Sequence, residues 1–228
     1  MTKPYFSRMT KFADMSAVII ANGEFPKKEY PLYLLKSAEY IICCDASRGL
    51  KHLQRLGITP DLIVGDMDSC SRATAERWKP RTVKVEEQDD NDLAKAMAIL
   101  RERRPDIDEI HILGAGGRNE AHALANLGWL MEWEMRYGFQ DGGVSVDMVS
   151  DYSTAFAISG DATLEVGEGR KISFFTSDPT LKIKSQGLHW PLDGVKLDAW
   201  WKASLNRADS DSVTLNFSHR APLLIVLD

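Results

Sequence analysis

Apolar residues along this chain follow two different rhythms. Over the first two-thirds, short continuous apolar runs alternate with segments of helical spacing. Ala17-Val18-Ile19-Ile20-Ala21 predicts a buried strand, stopped by the turn dipeptide Asn22-Gly23. Residues 31–37 predict a short helix, and Tyr40-Ile41-Ile42-Cys43-Cys44 a second buried strand. Leu50, Leu53 and Leu56 give helical spacing that ends at Gly57. Leu62-Ile63-Val64 forms a third apolar run and Thr82-Val83-Lys84-Val85 a weak fourth, with a helix over about 71–78 separating them. Leu93, Ala96, Met97 and Leu100 define another helix, followed by a strand at Ile110-His111-Ile112-Leu113. A long helix over about 119–137 and a strand over 144–149 complete this part.

Beyond about Asp151 the rhythm shortens. Thr163-Leu164-Glu165-Val166, Ile172-Ser173-Phe174-Phe175, Leu181-Lys182-Ile183-Lys184, Val213-Thr214-Leu215-Asn216-Phe217 and residues 223–227 read as short strands, several of them alternating. Gly160, Gly167, Gly169, Asp178-Pro179 and Asp193-Gly194 punctuate them as turns. The fold class expected is α/β: an N-terminal, mainly parallel sandwich domain over residues 16–150, then a smaller all-β domain, a sandwich or open barrel, over 151–228. Residues 1–15 are expected to be a disordered tail.

Composition narrows the partners. The 228 residues carry a net charge of −5, which lacks the basic footprint of a nucleic-acid binder. No apolar run approaches the roughly 20 residues needed to cross a bilayer, and the start of the chain lacks a signal peptide's apolar stretch. A cytoplasmic protein is expected. The three cysteines, two of them adjacent, fit buried thiols rather than disulfides, and no Cys or His pair has zinc-finger spacing.

The candidate chemistry lies in where the aspartates fall. Asp45 follows the second strand, Asp66 and Asp68 the third, and Asp89, Asp90 and Asp92 the fourth. Carboxylates therefore gather at the carboxyl ends of three apolar runs, the edge where α/β sheets bind ligands. Asp66 and Asp68 are two apart, so in extended backbone both side chains point the same way. Such a pair suits Mg2+, which takes one or two carboxylates plus substrate phosphates, and Gly65 lets backbone approach a phosphate closely. Taken singly, these residues also read as turn and cap residues: Asn91 or Asp92 for the following helix, Ser69 for the helix near 71–78. As a set they read as a metal and phosphate site. Gly114-Ala115-Gly116-Gly117-Arg118, between a strand and a long helix, adds backbone N–H groups and a guanidinium suited to an anion.

These residues resemble the thiamine pyrophosphokinase family. The likeness runs from Ile20-Ala21-Asn22-Gly23-Glu24-Phe25-Pro26 through Cys44-Asp45-Ala46-Ser47 to Gly65-Asp66-Met67-Asp68-Ser69, similar to the family's Gly-Asp-Phe-Asp-Ser signature. It continues in Gln88-Asp89-Asp90-Asn91-Asp92-Leu93-Ala94-Lys95-Ala96, in Gly116-Gly117-Arg118 with His122-Ala123-Leu124-Ala125-Asn126, and in Gly187-Leu188-His189-Trp190-Pro191-Leu192 and Ser204-Leu205-Asn206. The resemblance implies ATP-dependent pyrophosphoryl transfer to the hydroxyl of thiamine, giving thiamine diphosphate and AMP, in a homodimer with shared active sites. It implies Mg2+ on Asp66, Asp68 and Asp92, with Arg118 neutralising phosphate charge. Asp45, Ser69, Asp89, Asn91, Lys95, Gly116 and Gly117 would join them around ATP. Glu120, His122, Asn126, Trp190, Ser204 and Asn206 would lie on the thiamine side. One stretch departs from the family: Arg118-Asn119-Glu120-Ala121-His122 is one residue longer, with Ala121 where an aspartate precedes the histidine. Either Glu120 takes that carboxylate's place or its role is lost. Two rivals follow: a related phosphotransferase acting on another small alcohol, and a nucleotide or thiamine sensor that binds without chemistry.

Overall fold

The structure, a computed structural model, describes residues 15–45, 48–65, 70–85, 90–138 and 144–228. Apart from Met15, the tail expected over residues 1–15 lies outside these. The described residues divide into two compact units. One holds the chain up to Asn126 together with Val144–Asp151; the other holds Tyr152–Asp228 together with the stretch that begins at Leu127.

The first unit alternates strands and helices: β1 (Ser16–Ile20), α1 (Glu29–Ser37), β2 (Tyr40–Cys44), α2 (Arg48–Arg55), β3 (Leu62–Gly65), α3 (Arg72–Trp78), β4 (Thr82–Lys84), α4 (Asp92–Arg103), β5 (Glu109–Leu113), the start of α5 (Glu120–Tyr137) and β6 (Ser145–Val149). The strands pair in the order β6-β5-β1-β2-β3-β4, every pair parallel. Their near-continuous apolar character follows from burial on both faces. Val18, Ile20, Ile41, Cys43 and Ile63 pack with Leu34 and Leu35 of α1, Leu50 and Leu53 of α2 and Trp78 of α3. The alternate residues Ala17, Ile19 and Ile42 are fully buried as well. α4 packs on β2 and β3 through a stripe of buried Leu93, Ala96, Met97 and Leu100 that lies outside that cluster.

The second unit is a β-sandwich. Strands β7 (Thr154–Ile158), β9 (Lys171–Thr176), β11 (Asn206–Arg207) and β13 (Leu223–Leu227) form one antiparallel sheet in the order β11-β9-β13-β7. Strands β8 (Ala162–Glu165), β10 (Ile183–Gln186) and β12 (Ser212–Phe217) form a second in the order β10-β12-β8. One core joins them, with Phe156, Phe174 and Ile225 from the first sheet and Leu164, Val213 and Leu215 from the second. The later part of α5 belongs here, and Ser159 Oγ donates to Glu134 Oε1 at 3.0 Å.

Three readings of the sequence need correction. The all-buried strand β7 was absent from the predicted set, because its small Ala155 and Ala157 dilute the apolar signal. β10 starts two residues later than the run beginning at Leu181, since the Asp178 carboxylate holds the preceding turn by accepting from Thr180 N–H at 2.9 Å. The cap of α3 is Ser71, whose side chain accepts from Thr74 N–H at 3.2 Å.

Candidate functional site

In the first unit the chain builds strands outward from β1 to β4 and then returns to place β5 on the other side of β1. The strand order therefore reverses at β1, the place along the carboxyl edge where such sheets bind ligands. A cavity of about 320 Å3 lies there, lined by Ala21, Asn22 and Gly23 after β1 and by Gly114, Ala115, Gly116 and Arg118 after β5.

Backbone bonds hold the two loops together. The parallel ladder ends at Ile20 and Leu113, yet Ala21 N–H still donates to Leu113 O at 2.8 Å, Gly23 N–H to Gly114 O at 2.7 Å and Glu24 N–H to Gly116 O at 2.8 Å. A Cβ on Gly23 would run into the carbonyl oxygens of Gly114 and Gly116, so only glycine lets the loops meet this closely. Gly117 has φ 81°, in the left-handed region.

Two helix N-termini open onto the same cavity. Asn91 caps α4, its Oδ1 accepting from Ala94 N–H at 2.9 Å. Asn119 caps α5, its Oδ1 accepting from Ala121 N–H at 3.0 Å and His122 N–H at 3.2 Å. A bond of 3.3 Å from Asn91 Nδ2 to Asn126 Oδ1 links the two helices, and Asn126 Nδ2 donates to Ala115 O at 2.9 Å. The cavity wall carries Lys95 on α4 and Arg118 beside α5. Arg118 is exposed and has no hydrogen bond or ion pair among the described residues. Helix dipoles and two cationic side chains favour an anion here.

Carboxylates line the same cavity: Asp90 and Asp92, at the start of α4. Asp45 is 6% exposed at the end of β2 and adopts φ 58°, rare for a residue with a side chain. Its N–H donates to Val64 O at 2.7 Å, and a Cβ on Gly65 would stand 3.2 Å from its Cα, so the ends of β2 and β3 press together. Asp66, Asp68, Ser69 and Asp89 lie outside the described residues. Among the described residues no three His, Cys, Asp or Glu side chains form a group that could hold a metal. The oxygen-only character of Asp90 and Asp92 suits a hard cation such as Mg2+. Burial pushes the Cys43 thiol up to about 12 and Cys44, which also lines the cavity, upward as well, which favours the protonated form of both.

Of the residues expected around ATP, Asn91, Lys95, Gly116 and Arg118 share this cavity with Asp92, and so do His122 and Asn126. Glu120, exposed on the first turn of α5, is not among its lining residues. The sequence alone assigns no site role to Asn22, Gly23 or Asn119. Asn22-Gly23 carries only a turn signal until the strand order puts it opposite Gly114.

Trp190, Ser204 and Asn206 belong to the second unit. Trp190 is 57% exposed and meets His189 edge-on, ring centroids 4.5 Å apart. Asn206, 5% exposed, accepts from Trp190 N–H at 3.2 Å and donates to Trp190 O at 2.7 Å. Ser204 Oγ donates to Trp201 O at 3.0 Å.

A cavity of this build, at the carboxyl edge of a parallel sheet, suits an anion and fits the α/β class of protein. Family models agree on a narrower class: residues 32–138 match the thiamin pyrophosphokinase catalytic domain, and residues 154–221 match the thiamin pyrophosphokinase substrate-binding domain. The chain belongs to the thiamin pyrophosphokinase family of enzymes. Its fold is similar to that of thiamine pyrophosphokinase from Bacillus subtilis, with a TM-score of 0.71 and 20% identity over 92% of this chain and 97% of that one. It is also similar to the enzyme from Candida albicans (TM-score 0.71, 17% identity, 93% and 88% covered) and to that from yeast (TM-score 0.71, 14% identity, 96% and 88% covered). Comparison with curated proteins finds no match. Among the described residues, no helix is long and apolar enough to cross a membrane.

Proposed function

We propose that this chain transfers a pyrophosphoryl group from ATP to the hydroxyl of thiamine, giving thiamine diphosphate and AMP, as a cytoplasmic homodimer with shared active sites. The observation that carries this reading is the anion-ready cavity at the switch point, where two helix N-termini, Lys95 and Arg118 stand with Asp90 and Asp92. The triphosphate would lie against the backbone of residues 114–116 and the start of α4, with Asn91, Gly117, Asp45, Ser69 and Asp89 completing its surroundings. Mg2+, held by Asp92 with Asp66 and Asp68, would offset phosphate charge. Thiamine's hydroxyl attacks the β-phosphorus in line, the bond from that phosphorus to the α-phosphate oxygen breaks, and the hydroxyl proton passes to a carboxylate of this set. Arg118 stabilises charge spreading over the transferred group. Most of the rate enhancement then comes from positioning and electrostatics. On the acceptor side, Trp190 would offer an aromatic face to the cationic thiazolium, with Ser204, His122, Asn126 and Glu120 as further candidates.

Incubation with ATP, Mg2+ and thiamine should yield AMP and thiamine diphosphate in equal amounts. Asp66→Asn should abolish turnover while the far-UV circular dichroism stays unchanged; substantial remaining activity rejects the assignment. The position of Glu120 away from the cavity lining favours one second reading, a phosphotransferase for another small alcohol. An assay across thiamine, pyrimidine alcohols and pterin alcohols separates the two. Magnesium-dependent AMP release excludes a sensor without chemistry.

A further inference from the structure

In the second unit, the backbone around Trp190 runs antiparallel to β11. Leu188 bridges Ala208, and His189 N–H donates to Arg207 O at 2.9 Å, which puts Trp190 opposite Asn206. At that position the strand's backbone ladder is replaced by a side chain. Asn206 Oδ1 accepts from Trp190 N–H at 3.2 Å and from Arg207 N–H at 2.8 Å, while Nδ2 donates to Trp190 O at 2.7 Å. Both amide lone pairs and one of the two amide hydrogens are thus engaged within the protein, and the side chain is buried. Little of it is left for a ligand. Trp190's indole, in contrast, faces outward.

The residue before Asn206 is under strain. Leu205 has φ 56° with a β-carbon present, and its side chain is 64% exposed. Such a conformation persists only where its surroundings over-determine it. Here the buried Ser173 hydroxyl accepts from Leu205 N–H at 2.9 Å, and Asn206 fixes the next residue along.

We infer that Asn206 is a positioning residue: its amide stands in for a peptide group opposite Trp190 and holds that indole as a preorganised platform for the acceptor. Direct contact between Asn206 and the acceptor is not part of this role. The inference rests on the reading of Trp190 as the thiazolium platform. A preorganised aromatic face lowers the ordering cost of binding, so loosening it raises KM for the acceptor and leaves KM for ATP alone.

Two variants and one background test this on the full-length protein. Asn206→Asp keeps size and acceptors but sets a carboxylate oxygen against the Trp190 carbonyl; Asn206→Ala removes every bond. Both should speed amide hydrogen exchange in the peptide carrying Trp190, and Asn206→Asp should raise thiamine KM about tenfold with ATP KM unchanged. Should the alanine variant not fold, the aspartate variant decides. In a Trp190→Ala background, Asn206→Asp should add less than about twofold, because a residue acting through the indole has nothing left to act on. Unchanged exchange at Trp190 overturns the inference, and so does a full tenfold effect without the indole, which would mean direct contact with the acceptor. If Trp190→Ala alone leaves thiamine KM at the wild-type value, the platform reading falls, while the exchange result still decides whether Asn206 holds this backbone.

Discussion

The two units place their functional groups by opposite means. In the first, the cavity is mostly main chain: glycine loops that continue a parallel ladder past its strands, and two helix starts closed by asparagine caps. In the second, a side chain completes an antiparallel pairing so that an indole can face outward. Parallel strands all end at one edge, so a site at that edge comes with the topology. An antiparallel sandwich has no such edge, and its sites depend on individual side chains. A substitution in the first unit should therefore act through backbone geometry, and one in the second through a specific bond.

The largest effect tests the backbone claim. Gly23→Ala forces a Cβ against the carbonyl oxygens of Gly114 and Gly116, and should cost about 1–3 kcal/mol in denaturant unfolding, with weaker ATP binding measured by titration. Unaltered ATP affinity would break the comparison, because the cavity would then not depend on how closely those loops meet. Asn91→Ala comes next: losing the α4 cap should cost about 1 kcal/mol in urea unfolding. Asn91→Asp, which keeps the acceptor but loses the donor to Asn126, should cost less.

The smallest effect lies in the second unit and shows only in acid. Hydrogen bonds from the Thr180 hydroxyl and from His219 hold Asp178 at about 2, below its ordinary 3.8. A group more acidic when folded adds stability above its ordinary value and loses it as pH falls toward the depressed one. Asp178→Asn should therefore be less stable than wild type near neutral pH, with the gap closing between pH 3.8 and about 2 in a series of urea midpoints. A gap constant across that range would show that the carboxylate's charge contributes nothing.

How much of this was legible in the sequence follows the same division. Continuous apolar runs gave β1, β2 and β13 to within a residue, because strands buried on both faces need no alternation to be seen. The cluster Asn91, Asp92, Lys95 could be located because it directly follows an apolar run and opens a helix. The loop after β5 could be located too, but not its pairing with the loop after β1. Gly23 meets Gly114 only because β1 pairs with β5, a partnership across most of the unit that no local pattern encodes. The two-residue strand β11 was invisible for the same reason, and with it the link from Asn206 to Trp190, sixteen positions away in the chain.

The ladder running past β1 and β5 also bears on where this chain can change length. Its last rung is Glu24 N–H to Gly116 O, and three backbone bonds up to there tie one loop to the other. An insertion before that point would throw every later rung out of step. The stretch from Arg118 to His122, expected from the family resemblance to be one residue longer, falls just beyond it, where Asn119 serves as the cap of a helix. Changes of loop length should therefore be tolerated better at the shoulder beside Arg118 than within the bonded floor of the cavity.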